Sequence, residues 1–144
     1  MIMSGKTPRC VITFGTYDLF HIGHLRILER AAALGNRLVV GVSTDALNYS
    51  KKSKYPVFPE ADRAAIVGAL KVVDEVFLEE SLELKGEYIK KYKADLLVMG
   101  EDWAGKFDTY RELCDVHYFP RTPGISTTEI KEVLSQAAGG GSGA

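Results

Sequence analysis

Two histidines, His21 and His24, stand three residues apart directly after a short apolar stretch and a glycine. Residues 15–24 read GTYDLFHIGH, so Gly15 ends a predicted strand and the histidines enter the first turn of a predicted helix. The missing Cβ of Gly15 lets a ligand approach the backbone. The first helical turn offers unpaired N–H groups and a positive dipole end. This arrangement predicts a site for the phosphates of a nucleotide.

Other uses of these histidines have to be weighed. A histidine in a first helical turn is commonly a cap or a surface group, and a pair at this spacing can share a zinc ion. No Glu-x-x-His motif or cysteine cluster completes a zinc site. We therefore interpret His21 and His24 as functional, whereas His117 alternates with apolar residues in a predicted strand and is interpreted as structural.

Composition limits the class of protein. The chain has 144 residues, of which 46% are hydrophobic and 26% charged, with a formal net charge of −1. This length and composition predict one ordinary domain. The near-neutral net charge provides no positive electrostatic field that would attract nucleic acid. Cys10 and Cys114 form no C-x-x-C motif and are expected to be reduced thiols. Residues 1–9 lack a signal-like apolar stretch and no run reaches about 20 apolar residues, so we expect a cytoplasmic protein without membrane insertion.

Apolar runs of strand length alternate with stretches of helical periodicity. The predicted strands are 10–14, 38–42, 76–78, 96–99 and 116–119. The predicted helices are 21–34, 59–70, 84–93 and 127–135, the first ending at Gly35-Asn36 as at a C-cap. Continuous apolar strands indicate burial on both faces. We predict a Rossmann-like three-layer α/β/α fold with a five-stranded parallel sheet in a single domain, 8–136, followed by a flexible Gly/Ser tail, 137–144.

The ligand of an open parallel sheet lies beyond the carboxyl ends of the strands. The segments there carry many cations, hydroxyls and carboxylates: 15–24, 43–45 with Lys51, Lys52 and Lys54, 100–103, and 121–128. Lysine, arginine and backbone N–H groups suit a polyphosphate. The lysines could equally be a solvated, mobile loop. Ser126 and Glu129 also form a capping box, which needs no ligand to explain it.

Four motifs, spread from about residue 11 to residue 133, carry a family resemblance. They are HIGH at 21–24 after GTYD, STD at 43–45, MGEDWAGKFD at 99–108 and RTPGISTT at 121–128. The chain resembles the small bacterial cytidylyltransferases. The H-x-G-H motif alone marks a broad nucleotidyltransferase superfamily, which includes adenylyl-transferring enzymes and class I aminoacyl-tRNA synthetases. The RTPGISTT motif at 121–128 narrows the resemblance to the cytidylyltransferases.

The resemblance implies transfer of CMP from CTP to the phosphate of a small phosphorylated alcohol. Within the family the likeness points to sn-glycerol 3-phosphate as acceptor, with CDP-glycerol and pyrophosphate as products. Mg²⁺ would arrive with the nucleotide, without a dedicated site. A homodimer is also implied, as is a place in the synthesis of a bacterial cell-wall or capsule polysaccharide.

Site residues follow from the same resemblance, position by position. The catalytic residues implied are His21, His24, Lys51 and Arg121. Those implied for nucleotide binding are Thr16, Tyr17, Asp18, Gly23, Glu101, Asp102, Arg121, Thr122, Ile125, Ser126, Thr127 and Thr128. Those implied for acceptor binding are Lys51, Lys54, Arg63 and Trp103. Whether Lys52 or Lys54 supplies a second cation is open.

Several alternatives stay open at this stage. The acceptor could be ethanolamine phosphate, a polyol phosphate or a phosphorylated amino-acid derivative. An adenylyltransferase making a dinucleotide cofactor is a more distant possibility. A nucleotide-binding module without turnover belongs to a different class, and retention of both histidines, Lys51 and Arg121 argues against it.

Overall fold

The fold is organised around a parallel sheet, as the apolar strands predict. A computed structural model describes residues 9–120 and 133–136. Within this part, five strands form one sheet in the order β3-β2-β1-β4-β5, with every neighbouring pair parallel. Their bounds are β1 Cys10–Gly15, β2 Arg37–Ser43, β3 Glu75–Glu79, β4 Leu96–Gly100 and β5 Asp115–Phe119. All the predicted strands are confirmed, each one or two residues longer than its apolar run.

Helices connect the strands on both sides of the sheet. They are α1 Ile22–Ala32, α2 Asp45–Lys52, α3 Glu60–Gly68 and α4 Lys85–Lys91. The predictions over 21–34, 59–70 and 84–93 are confirmed with shorter bounds, and α4 is preceded by a single 3-10 turn. The predicted helix over 127–135 lies mostly outside the described residues, although 133–136 are helical. Helix α2 was not predicted, because its polar sequence lacks an apolar stripe.

Two apolar layers lie on opposite faces of the sheet. Val11, Val40 and Val98 face one side, where Leu28 of α1 and Val67 of α3 pack on them. The alternate residues of the strands face the other side and pack on Ile89 of α4 and on Phe107. Successive residues of a strand point to opposite faces, so a sheet covered twice needs apolar side chains at consecutive positions. The predicted three-layer arrangement is confirmed.

The strand order places β1 at the centre of the sheet. β1 pairs with β2 on one side and with β4 on the other, so the chain reverses its direction across the sheet between these neighbours. A crevice forms at such a reversal, outside the carboxyl ends of the strands. Gly15 at the end of β1 and Gly100 at the end of β4 therefore mark the expected position of a ligand.

Gly35 has a different role from the predicted helix cap. Helix α1 ends at Ala32 with Ala33 as its cap, in an ordinary right-handed conformation. A Cβ on Gly35 would lie 2.4 Å from the backbone oxygen of Arg9 and 2.9 Å from Val11 Cγ2. The amide of Asn36 donates to that same oxygen at 3.0 Å. Close approach to the chain entering β1 requires glycine here, so the C-cap prediction was wrong.

Other sequence-level expectations can be compared with the described residues. Cys10 and Cys114 are free thiols, as predicted, and burial raises the pKa of each. Among the helices of residues 9–120 and 133–136, none combines the length and apolar character needed to cross a bilayer.

We predict that Gly35→Ala lowers the free energy of unfolding by about 1–3 kcal/mol, because a rigid carbonyl meets the new methyl group. Gly68→Ala is the matched control. A Cβ on Gly68 meets nothing closer than Val76 at 3.8 Å, and alanine favours a helix, so this variant should keep or gain stability. Urea unfolding of the two variants measures the difference. Equal stabilities would contradict the close-approach explanation.

Candidate active site

Two adjoining cavities open at the carboxyl edge of the described sheet. The first cavity, of about 330 Å³, is lined by residues 13–18 and by His24, Ile27, Asn48, Lys52, Lys54, Tyr55, Pro56 and Gly100. The second cavity, also about 330 Å³, is lined by Phe14, Gly15, Thr16, Ser43, Lys51, Lys52, Glu79, Leu82, Lys85, Met99, Trp103 and Phe107. Both are of the size that binds small molecules. They share Phe14, Gly15, Thr16 and Lys52, so two ligands bound side by side would meet at the end of β1.

The two histidines cap helix α1 reciprocally. His21 is the N-cap residue, and its Nδ1 accepts a hydrogen bond from the Gly23 amide at 3.0 Å. His24 Nδ1 accepts from the His21 amide at 3.1 Å. The imidazole rings stack with their centroids 3.9 Å apart. This is the geometry of a capping box, with histidine in both positions where Ser or Thr and Glu usually stand.

This cap determines the chemical state of His24. Burial lowers the pKa of His24 to about 4, with the charge of His21 acting in the same direction and Asp18 opposing it. The ring is therefore neutral at pH 7. Because Nδ1 accepts a hydrogen bond, the hydrogen-bond network assigns the ring proton to Nε2. His24 lines the first cavity, so it provides a neutral N–H donor there and takes up no proton at pH 7.

The loop after β1 is held by its own side chains. Asp18 is 4% exposed, and its carboxylate accepts from the amides of Val57 and Phe58 at 2.7 and 2.9 Å. Tyr17 has φ 56° and lies under Gly15, where a Cβ would come within 2.8 Å of its ring. Burial raises the pKa of the Tyr17 hydroxyl. Both side chains line the first cavity while also serving as braces.

Thr16 and Gly23, predicted to contact the nucleotide, are also engaged with the protein. The Thr16 hydroxyl donates to Asn48 Oδ1 at 2.9 Å and lies 3.2 Å from the Ser43 hydroxyl, on the floor between the two cavities. Gly23 is buried, and its amide donates to His21 Nδ1. Thr16 lines both cavities, whereas Gly23 lines neither, so Gly23 contributes through the cap.

Arg63, predicted to contact the acceptor, is buried and bonded to the protein, and its contact with the acceptor stays a prediction. Its side chain has no exposed surface and lines neither cavity. Its Nη1 donates to the backbone oxygens of Thr16 and Ser43, both at 2.8 Å, and its Nε donates to that of Phe58 at 2.9 Å. Its Nη2 pairs with Asp45 at 2.7 Å. The guanidinium therefore ties together the loops that form the cavities, and the sequence shows no sign of this because the partners are mostly backbone oxygens.

Helix α2 places lysines at both cavities. Thr44 caps the helix by accepting from the Leu47 amide, and Lys51 and Lys52 lie in its last turn, where the dipole favours cations. The segment predicted as a possible mobile loop is therefore helical as far as Lys52. Lys51 lines the second cavity, Lys54 the first, and Lys52 both. Burial lowers the pKa of Lys51, with Glu79 opposing the change.

Sequence analysis missed a buried ion pair in the second cavity. Lys85 and Glu79 are each 2% exposed, and Lys85 Nζ lies 2.5 Å from Glu79 Oε2. Burial lowers the pKa of Lys85, while Glu79 opposes the change. Glu79 ends β3 at the carboxyl edge and Lys85 begins α4. The sequence signal that could have revealed Glu79 is its position directly after a predicted apolar strand, because charged residues at strand ends line such crevices.

The remaining predicted residues fall into two groups. Trp103 is half-buried beside Phe107, with ring centroids 5.3 Å apart, and lines the second cavity. Glu101 and Asp102 are exposed on the same 3-10 turn and line neither cavity, although Gly100 before them lines the first. The second group lies outside the described residues, and its members stay predictions: Arg121, Thr122, Ile125, Ser126, Thr127 and Thr128.

Among the described residues, no three His, Cys, Asp or Glu side chains are grouped closely enough to hold a metal ion. Asp18, which follows the glycine of the first loop, uses both carboxylate oxygens to accept backbone amides. Phosphate oxygens of a bound nucleotide are the ligands that Mg²⁺ usually takes in such sites.

Comparison with known proteins agrees with this geometry. A family model described as cytidylyltransferase-like matches residues 12–133. The chain belongs to this family. It is 49% identical to glycerol-3-phosphate cytidylyltransferase of Bacillus spizizenii over 87% of this chain and 96% of that protein. It is 42% identical to the Staphylococcus aureus enzyme of the same name, over 86% of this chain and 93% of that protein.

A solved structure shows the same fold. It is the lipopolysaccharide core biosynthesis protein of Thermoplasma volcanium, with a TM-score of 0.71 and 25% identity. The match covers 79% of this chain and 98% of that one. This chain spans nearly the full length of the two glycerol-3-phosphate cytidylyltransferases and of this structure. The resemblance inferred from the HIGH and RTPGISTT motifs is confirmed.

We predict that Arg63→Lys lowers the free energy of unfolding by about 2–4 kcal/mol, because an ammonium cannot reach the backbone oxygens that the planar guanidinium joins. Arg26→Lys is the control, since Arg26 pairs with Glu29 in an exposed position and should cost less than about 1 kcal/mol. Denaturant titrations of both variants give the comparison. A loss at Arg63 no greater than that at Arg26 would contradict the role assigned to the guanidinium.

Proposed function

We propose that this protein transfers CMP from CTP to the phosphate of sn-glycerol 3-phosphate, giving CDP-glycerol and pyrophosphate. The observation that carries the proposal is the near full-length similarity to glycerol-3-phosphate cytidylyltransferases. The geometry supports it, because a reaction between a nucleotide and a second phosphate ester needs two binding volumes that meet. The first and second cavities share Gly15 and Thr16 in this way.

The reaction needs positioning more than a strong base. A phosphate monoester is anionic near neutral pH, so its oxygen can attack the α-phosphorus of CTP directly. The bond from this oxygen to the α-phosphorus forms while the bond to the pyrophosphate oxygen breaks. The protein contributes by aligning the two ligands and by stabilising charge that grows on the phosphate oxygens.

We assign the nucleotide to the first cavity. The N-terminal turn of α1 and the neutral Nε2–H of His24 are suited to the phosphates there, and the hydrogen bond from His24 would strengthen as negative charge develops. His21 holds the His24 ring in place by stacking and by the shared cap. By family resemblance, Arg121 and the hydroxyls of Ser126, Thr127 and Thr128 would contact the β- and γ-phosphates.

We assign the acceptor to the second cavity. Lys51 lines this cavity and Lys52 lines both, so the cations lie where the acceptor phosphate would approach the nucleotide. Lysine acts as a mobile point charge, which suits a phosphate that changes its bonding during the reaction. Trp103 and Phe107 would form an apolar wall beside the acceptor's carbon chain.

Mg²⁺ would bind the phosphate oxygens of CTP and supply charge neutralisation there. The N–H groups and lysines of the first cavity would hold the phosphates, and the Asp18 carboxylate that also lines it accepts backbone amides. We also propose a homodimer, which sedimentation velocity can test, and a cytoplasmic location. The product would serve the synthesis of a glycerol-phosphate polymer of the bacterial wall or capsule.

We predict pyrophosphate release with CTP, Mg²⁺ and glycerol 3-phosphate, and its loss in excess chelator, because the triphosphate charge is then uncompensated. The panel includes ethanolamine phosphate, several polyol phosphates and ATP in place of CTP. Preference for another acceptor would replace glycerol 3-phosphate. Preference for ATP would indicate an adenylyltransferase. Binding of CTP without release from any pair would favour a nucleotide-binding module.

We predict that His24→Asn lowers turnover by about a hundredfold or more and leaves CTP affinity within a few-fold of the parent. Asparagine keeps an acceptor for the His21 amide but removes the Nε2–H donor. His117→Asn is the control, because His117 is exposed and lines neither cavity. Steady-state rates and calorimetric CTP titration measure both effects. Turnover near that of the parent would remove His24 from the chemistry.

A further inference from the structure

Two exposed tyrosines stack beside the first cavity. Tyr49 lies on α2 and is 47% exposed, and Tyr55 follows the helix and is 65% exposed. Their ring centroids are 4.6 Å apart, with the ring planes 23° from parallel. Tyr55 lines the first cavity, whereas Tyr49 lines neither cavity. We call this pair the tyrosine clasp. Rings that stay so exposed add little to the core, so the contact is explained by what it holds in place.

The clasp spans a turn that is unfavourable for the residue at its centre. Ser53 ends α2 in the left-handed conformation, with φ 55° and ψ 25°. A residue with a Cβ adopts this conformation at a cost, because the Cβ crowds the following carbonyl oxygen. Tyr49 opposes that cost twice, since its backbone oxygen accepts from the Ser53 amide at 2.8 Å and its ring packs on Tyr55 beyond the turn. The clasp therefore fixes the direction in which the chain leaves α2.

The far end of the connection between α2 and α3 is fixed by other contacts. Asp18 accepts from the amides of Val57 and Phe58 at 2.7 and 2.9 Å, and Arg63 Nε donates to the Phe58 oxygen at 2.9 Å. Pro56 has a fixed φ and also restricts the backbone of the residue before it. Because the clasp holds one end and these contacts hold the other, the short span between them has little conformational freedom.

This span carries Lys54. Lys54 is exposed, and it lines the first cavity but not the second. In the proposed reaction the first cavity holds the nucleotide, so Lys54 faces the phosphates of CTP. A lysine on a free loop loses backbone and side-chain freedom when it binds a phosphate. A backbone that is already fixed lowers this ordering cost and so strengthens binding.

We propose that Tyr49 and Tyr55 are positioning residues, whose stacked rings hold the turn at Ser53 so that Lys54 stays at the nucleotide cavity. This inference rests on the proposed function and deepens it, because it assigns part of the CTP affinity to a contact between two side chains, one of which lies outside both cavities. The charge of Lys54 acts on the phosphates both before and during the transfer. The clasp therefore affects the binding of CTP rather than the rate of turnover.

The test measures KM for CTP and for glycerol 3-phosphate, with Mg²⁺, in Tyr49→Ala. Loss of the stack should raise KM for CTP about three- to tenfold and leave kcat and KM for glycerol 3-phosphate within about twofold of the parent. Tyr49→Phe keeps the ring and should match the parent. Ile66→Ala is the control, because Ile66 is an apolar side chain of α3 with similar exposure, 41%, and lines neither cavity. Ile66→Ala should change neither KM.

A double variant separates positioning of Lys54 from a general effect on α2. Lys54→Gln alone should raise KM for CTP, and adding Tyr49→Ala should then cause no further rise, because the clasp acts through Lys54. Tyr55→Ala removes the stack from its other side and provides the same measurement if thermal melts show that Tyr49→Ala is unfolded. Unfolding of both variants would make the clasp a requirement of the fold and overturn the proposal.

The other outcomes also decide the matter. A parent-like KM for CTP in a folded variant overturns the proposal, as does an equal rise in both KM values or an additive effect with Lys54→Gln. Calorimetric titration with CTP gives the same comparison without turnover. If the parent releases no pyrophosphate with any acceptor, the proposed function fails, and the CTP affinities of the variants still decide on the clasp. Absence of CTP binding by the parent overturns both.

Discussion

The buried guanidinium of Arg63 is the contact on which the candidate site depends. An arginine cannot lose its charge in a protein, so each N–H group removed from water needs a partner. Its partners are backbone oxygens after β1, at the end of β2 and before α3, together with Asp45 at the start of α2. Movement of any of these segments would leave part of a buried cation unpaired. The cavities are therefore formed before a ligand arrives, which reduces the ordering cost of binding.

The reciprocal histidine cap shows how a structural need and a chemical one can use the same atoms. Nδ1 of each ring accepts a backbone amide at the start of α1, which satisfies donors that a helix leaves unpaired. That use also determines which nitrogen of neutral His24 carries the proton. Burial then keeps the ring neutral at pH 7. The result is a hydrogen-bond donor of fixed orientation beside the dipole of the helix.

The acceptor side of the site is built from charges supplied by separate elements. Lys51 and Lys52 end α2, Glu79 ends β3 and Lys85 begins α4. Helix α2 orients its lysines because it is capped by Thr44 and tied to Arg63 through Asp45. The second cavity thus combines the lysines of α2 with a buried ion pair formed between the end of β3 and the start of α4.

The sequence by itself determined the parallel sheet, three of its helices and the position of the histidine loop. These follow from local pattern, because consecutive apolar residues require burial on both faces and a glycine before a helix start predicts a phosphate site. Only the tertiary structure decided the role of Arg63, the reason for Gly35 and the pairing of Lys85 with Glu79. Each of these depends on backbone atoms or side chains brought together from distant elements. No periodicity or spacing records such contacts, since they form only when the strands assemble in the order β3-β2-β1-β4-β5.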